Sequence, residues 1–80
     1  MKRPRDISPR EIVRRLGPLG YRVTRQVGSH MRLTTEERGQ HHITIPRHKQ
    51  LTIGKINAVL WEVARHFGLP REELMTLLFA

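Results

Sequence analysis

Two polar, glycine-bearing interruptions, Val27-Gly28-Ser29 and Glu36-Glu37-Arg38-Gly39, cut the middle of the chain into three short extended stretches. These stretches are Tyr21 to Gln26, His30 to Thr35 and Gln40 to Pro46, each of strand length and separated by loops too short for anything but hairpins. The spacing predicts an antiparallel three-stranded meander. Alternation sorts its faces: Tyr21, Val23, Met31, Leu33, Ile43 and Ile45 share one parity, and Arg22, Thr24, His30, Arg32, Thr34, His42 and Thr44 share the other. Arg25 and His41 carry the apolar parity despite their chemistry, and Val27 also fits poorly. A bulge near Gly28 is expected to re-aim Arg25, and a place at the sheet margin is expected for His41.

The flanking segments supply what covers the apolar face. In "SPREIVRRLGPLGY", Ser8 is the expected N-cap, Pro9 stands where its missing N–H is harmless, and Glu11 completes a capping box. Ile12, Val13 and Leu16 form one stripe, and Gly17-Pro18 ends a short helix at Leu16. In "KINAVLWEVARHFG", Ile56, Val59, Leu60, Val63 and Phe67 form a longer stripe that stops at Gly68. A last helix restarts at Pro70, with Glu72 and Glu73 in the turn where the helix dipole favours acid, and carries Leu74, Leu77 and Leu78. Trp61, at the edge of its stripe, is expected to pack against this last helix; the alternative is an exposed patch with Leu77-Leu78-Phe79. The expected fold is α+β in the order α-β-β-β-α, with helices on one face of the sheet, a short additional helix within 69–80, and residues 1–6 frayed. With 80 residues, the chain makes a single small domain spanning 1–80.

Charge narrows the partners. Fifteen Lys and Arg stand against seven Asp and Glu, a formal net charge of +8, and twelve of the cations are Arg. A guanidinium fork suits phosphate or carboxylate, which points to nucleic acid or an acidic protein surface. The absence of cysteine excludes disulfides, thiolate nucleophiles and cysteine zinc sites. No apolar run approaches the roughly 18 residues of a membrane span, and the N-terminus has no secretory h-region, so a cytoplasmic protein without membrane contact is expected.

Five histidines invite a closer look. His66 reads as a surface histidine near a helix C-terminus. His41 and His42, adjacent on a strand, point to opposite faces and cannot chelate together; a His30, His42 and His48 metal site lacks an accompanying carboxylate pattern, so no metal or other cofactor is expected. His30 differs in its setting. It sits in "VGSHMRL", whose Gly-Ser-His-Met resembles a tag-cleavage scar but follows a helix and a strand and so reads as native. It stands on the open face among arginines, and an imidazole, with an ordinary pKa of about 6.5, exchanges protons near neutral pH. Cleaving RNA without a metal requires a base for the 2′-hydroxyl, a proton for the departing 5′-oxygen and cations around the phosphorus. His30, Arg25 and Arg32, with Arg47 or Lys55 nearby, could supply these parts. A non-catalytic RNA-binding module and a protein-interaction module with a basic face are the rivals.

Together, Gly20-Tyr21, Arg25-Gln26, Gly28-Ser29-His30, Pro46-Arg47-His48 and Gly54 before Ile56 and Leu60 make residues 6 to 66 resemble the HicA (YcfA-like) mRNA interferase toxins. The resemblance implies a double-stranded-RNA-binding-domain-like fold, ribonuclease activity on mRNA with His30 as the catalytic residue, and a cognate HicB-like antitoxin that masks the site. Arg25, Ser29, Arg32, Arg47, His48 and Lys55 are the candidate RNA-binding residues, with Ser29 orienting the site or donating a hydrogen bond. His42 and His48 remain further proton-transfer candidates, and the segment after Gly68 is longer than the family's usual tail.

Overall fold

The computed structural model describes residues 7–79; the terminal stretch expected to fray, 1–6, lies outside them. Helix α1 (Pro9–Leu16) begins where the cap chemistry puts it: the Ser8 hydroxyl accepts from the Glu11 N–H at 3.2 Å. A 3₁₀ turn at Gly17–Leu19 follows, then strands β1 (Arg22–Val27), β2 (His30–Thr35) and β3 (His41–Pro46). Helix α2 (Ile53–Phe67), capped by the Thr52 hydroxyl on the Lys55 N–H, and helix α3 (Arg71–Phe79) complete the chain.

The sheet is antiparallel in the order β1-β2-β3. The alternation produces its inner face because Leu33, Ile43 and Ile45 meet Ile12 and Leu16 of α1 and Ile56, Leu60, Val63 and Phe67 of α2 in one buried cluster. Leu74 and Leu78 join it from α3, whose final turn is held by Arg15: its guanidinium donates to the Leu78 carbonyl at 2.6 Å and lies over the Phe79 ring. A backbone bond from Leu51 N–H to Ile7 carbonyl pins the segment before α1 to the approach of α2, a contact with no local signal in the sequence.

Gly20 turns the chain into β1 with φ 87°, and a Cβ there would stand 2.6 Å from the Thr35 hydroxyl, so both conformation and space demand glycine. That buried hydroxyl donates to the Leu19 carbonyl and accepts from the Glu37 N–H, locking the start of the sheet to the second hairpin.

Three expectations need correction. Val23, assigned to the core by parity, is 42% exposed, because β1 is an edge strand and α1 covers it only partly. Trp61 does not pack into α3: it is 56% exposed, with the Arg65 guanidinium 4.9 Å above its ring, while α3 turns Leu74 and Leu78 inward and leaves Leu77 outside. The bulge lies at Thr24 rather than near Gly28, since Val23 pairs with Leu33 and Arg25 with Arg32, leaving Thr24 as the extra residue. Among the described residues no helix is long and apolar enough to cross a membrane.

Candidate functional site

The Thr24 bulge decides what the open face carries. Were Thr24 paired in a regular ladder, Arg25 would keep the apolar parity of Tyr21 and Val23. With Thr24 bulged out, Arg25 stands directly across from Arg32, and Val27 from His30. On the other side of β2, His30 pairs with Pro46 and Arg32 with Thr44. The result is a shallow concavity lined by Arg25, Val27, His30, Arg32 and Thr44, all of them solvent-exposed. An imidazole and two guanidiniums thus share one patch of uncovered sheet.

Local geometry holds His30 at its edge. Gly28 and Ser29 form a two-residue hairpin loop, and Gly28 takes φ 58°, a conformation that favours glycine. A Cβ there would meet nothing within 4 Å, so the demand is conformational and not steric. Ser29 is exposed, and its backbone carbonyl accepts from the Arg47 N–H at 2.6 Å, tying the end of β3 to the hairpin that carries His30.

The remaining sequence candidates fall elsewhere. Arg47 and His48 line a separate groove with Arg10, Val13, Val23 and Met31, between α1 and the sheet. Lys55 is exposed on the first turn of α2. His42 stays on the open face, paired across β2 with Thr34, four positions beyond the His30 row. Accordingly, the three histidines considered for a metal are spread over two sides of the sheet. Among the described residues no group of three or more His, Asp or Glu is gathered to hold one.

The structure shows a second imidazole cluster that sequence reasoning did not find. His66, read as an isolated surface residue, stacks on His41 with ring centroids 4.5 Å apart and planes within 12°. Its Nε2 is 2.8 Å from the Glu37 carbonyl, while His41 Nδ1 is 2.7 Å from the Tyr21 hydroxyl. His41 does sit at the sheet margin, on edge strand β3. Burial lowers its pKa, His66 and His42 lower it further, and Glu62, 3.9 Å from Nε2, only partly opposes them. Burial, with Glu62, pushes the Tyr21 hydroxyl up to about 12, so the phenol stays protonated in this contact. The signal available in the sequence was the apolar parity of His41, which places its ring on the helix side.

A family model described as HicA toxin of bacterial toxin-antitoxin matches residues 9–68, covering everything from α1 to the glycine that ends α2. No curated protein and no solved structure matches the chain. Helix α3 lies beyond the matched region.

Proposed function

Starting from the chain's membership of the HicA toxin family, we propose that it is an mRNA interferase, an endoribonuclease whose catalytic residue is His30. Membership of a toxin–antitoxin family implies an antitoxin partner. The observation that carries the catalytic reading is the shared concavity of His30, Arg25 and Arg32 on the uncovered sheet face.

The chemistry follows from those groups. Neutral His30 removes the proton of a ribose 2′-hydroxyl, the 2′-oxygen attacks the adjoining phosphorus, and the bond to the 5′-oxygen breaks. The products are a 2′,3′-cyclic phosphate and a 5′-hydroxyl end, the departing oxygen taking its proton from water, which reaches this face freely. Arg25 and Arg32 face each other across β1 and β2 and bracket the phosphate, offsetting the charge that builds on its oxygens. Ser29 acts through its backbone, by fixing Arg47 against the hairpin. Arg47, His48 and Lys55 hold flanking phosphates and take no part in the bond-breaking step. This reading also entails a cytoplasmic site of action and a HicB-like antitoxin that covers the open face.

Cleavage of a synthetic mRNA by purified protein in excess EDTA, with analysis of the new ends, tests the proposal. The expected result is cyclic-phosphate and 5′-hydroxyl ends from the parent and none from His30→Ala, which keeps its RNA affinity. A His30→Ala variant that cleaves as fast as the parent overturns the assignment. RNA binding without cleavage by the parent supports the non-catalytic alternative.

A further inference from the structure

A buried hydroxyl on an open sheet face needs a reason. Thr34 belongs to the solvent side of β2, yet it is only 6% exposed, and its Oγ1 engages two partners at once. One is the Thr24 hydroxyl at 2.7 Å, the other His42 Nδ1 at 2.8 Å. Thr24 Oγ1 in turn donates to the Arg32 carbonyl at 3.4 Å. Each hydroxyl has a single proton, so one assignment serves all three contacts: Thr24 gives its proton to the carbonyl, Thr34 gives its own to Thr24, and His42 Nδ1–H donates to Thr34. In that arrangement the outward nitrogen of the neutral His42 ring, Nε2, is a lone-pair acceptor, and it has no hydrogen-bond partner among the described residues.

Thr34 also pairs on its other side with Arg22, so an exposed guanidinium and an oriented imidazole flank it on β1 and β3. Neighbouring strands are about 4.8 Å apart, so the β1 and β3 backbones, with β2 between them, are roughly 10 Å apart, a span that the two long side chains bring within reach of one nucleotide. Along β2, Thr34 is four positions from His30, about 13 Å at the rise of a strand. With its ring tied to Thr34, His42 cannot share the scissile phosphate with His30, and between the two lies the Arg25 and Arg32 row. An extended RNA strand bound at His30 and those arginines would continue onto this second row.

We propose that His42, oriented by Thr34 and Thr24, is a second RNA subsite, in which Nε2 accepts a hydrogen bond from the 2′-hydroxyl of a nucleotide flanking the scissile one while Arg22 meets that nucleotide's phosphate. The proposal rests on the open face being the RNA-binding face. A 2′-hydroxyl is the group that separates RNA from DNA at a given position, so the subsite confers ribose selectivity away from the point of cleavage. His42 is a positioning residue here and takes no part in bond breaking.

The test is a coupling measurement. Oligoribonucleotides blocked by 2′-O-methyl at the scissile nucleotide are substituted with 2′-deoxy at each other position in turn, and their affinities are measured with the parent, His42→Ala, Thr34→Val and Thr34→Ser. The parent is expected to lose about tenfold in affinity for deoxy substitution at one flanking position. His42→Ala and Thr34→Val should abolish that penalty, and Thr34→Ser, which keeps the hydroxyl, should retain it. An equal penalty in the parent and His42→Ala, or no penalty at any position, overturns the subsite. Loss of the subsite with His30-dependent cleavage intact leaves the catalytic reading standing; failure of the parent to bind RNA overturns both.

Discussion

The two ends of the β2–β3 ladder each present histidine to a neighbour, and they use it in opposite ways. At one end His30 pairs with Pro46 and stands exposed beside Arg25 and Arg32. At the other His41 pairs with Thr35, has its Nδ1 on the Tyr21 hydroxyl and its ring stacked on His66. The second cluster joins three elements: β3, the residue ahead of β1 and the last turn of α2. An imidazole whose nitrogen and face are already engaged contributes to architecture, whereas one left open among cations is free to exchange a proton with an anionic ligand. Histidine count alone could not separate the two; the partners of each ring do.

The largest effect expected from this contrast is kinetic. His30→Ala should lower kcat/KM for RNA cleavage by about 10²–10⁴, the usual worth of a general base, with thermal stability unchanged because the side chain is exposed. Next comes a thermodynamic effect at the opposite end. Tyr21→Phe removes the 2.7 Å contact and leaves His41 Nδ1 without its partner, which should cost about 1–2 kcal/mol in chemical denaturation while cleavage proceeds normally. If Tyr21→Phe impaired catalysis as much as His30→Ala, the division of labour between the two ends would collapse.

Titration sharpens the same contrast. Burial, reinforced by His66, lowers the pKa of His41 in the folded chain, so below about pH 6.5 the unfolded chain binds the extra proton first. Stability should therefore decline as pH falls through that value, and level off once the folded form also protonates. Replacing His41 with Gln, which keeps a polar group without a titrating ring, should flatten the decline measured by urea unfolding across pH 5 to 8. A decline that persists in His41→Gln would move its origin to another group.

What the sequence disclosed followed from the range of the interactions involved. α1 was legible to the residue because its cap, its proline and its apolar stripe all lie within a few positions of one another. The strands and the open placement of His30 followed from alternation, which is also local. Arg25 showed where that reading failed: its parity betrayed an irregularity, but the position of the bulge depends on Thr24 reaching the Thr34 hydroxyl on the next strand. Trp61 and His66 failed for a related reason. The face that α3 turns inward, Leu74 and Leu78, passes Trp61 by and leaves it to its own helix neighbour Arg65, and the approach of His66 to His41 joins α2 to β3; both are settled by packing between elements. Likewise, Arg47 and His48 looked equivalent to the open-face cations until the turn after β3 carried them towards α1.

The smallest expected effect isolates the bulge itself. Deleting Thr24 removes the unpaired residue of β1, so Val23 stays opposite Leu33 and Arg25 follows directly, still opposite Arg32, in a regular ladder. The arginine keeps its face. What disappears is the Thr24 hydroxyl and its bond to Thr34, worth about 0.5–1.5 kcal/mol. The deletion variant should therefore fold, unfold at a slightly lower urea concentration and retain most of its cleavage activity. Were the strand instead to slip by one residue, Arg25 would turn towards Leu33, Ile43 and the helices, and an unpaired guanidinium in that core would cost several kcal/mol. Urea unfolding reads the difference directly: a small shift in midpoint means the hydrophobic pattern of β2 and β3 sets the register, and a collapse of stability means that the extra residue does.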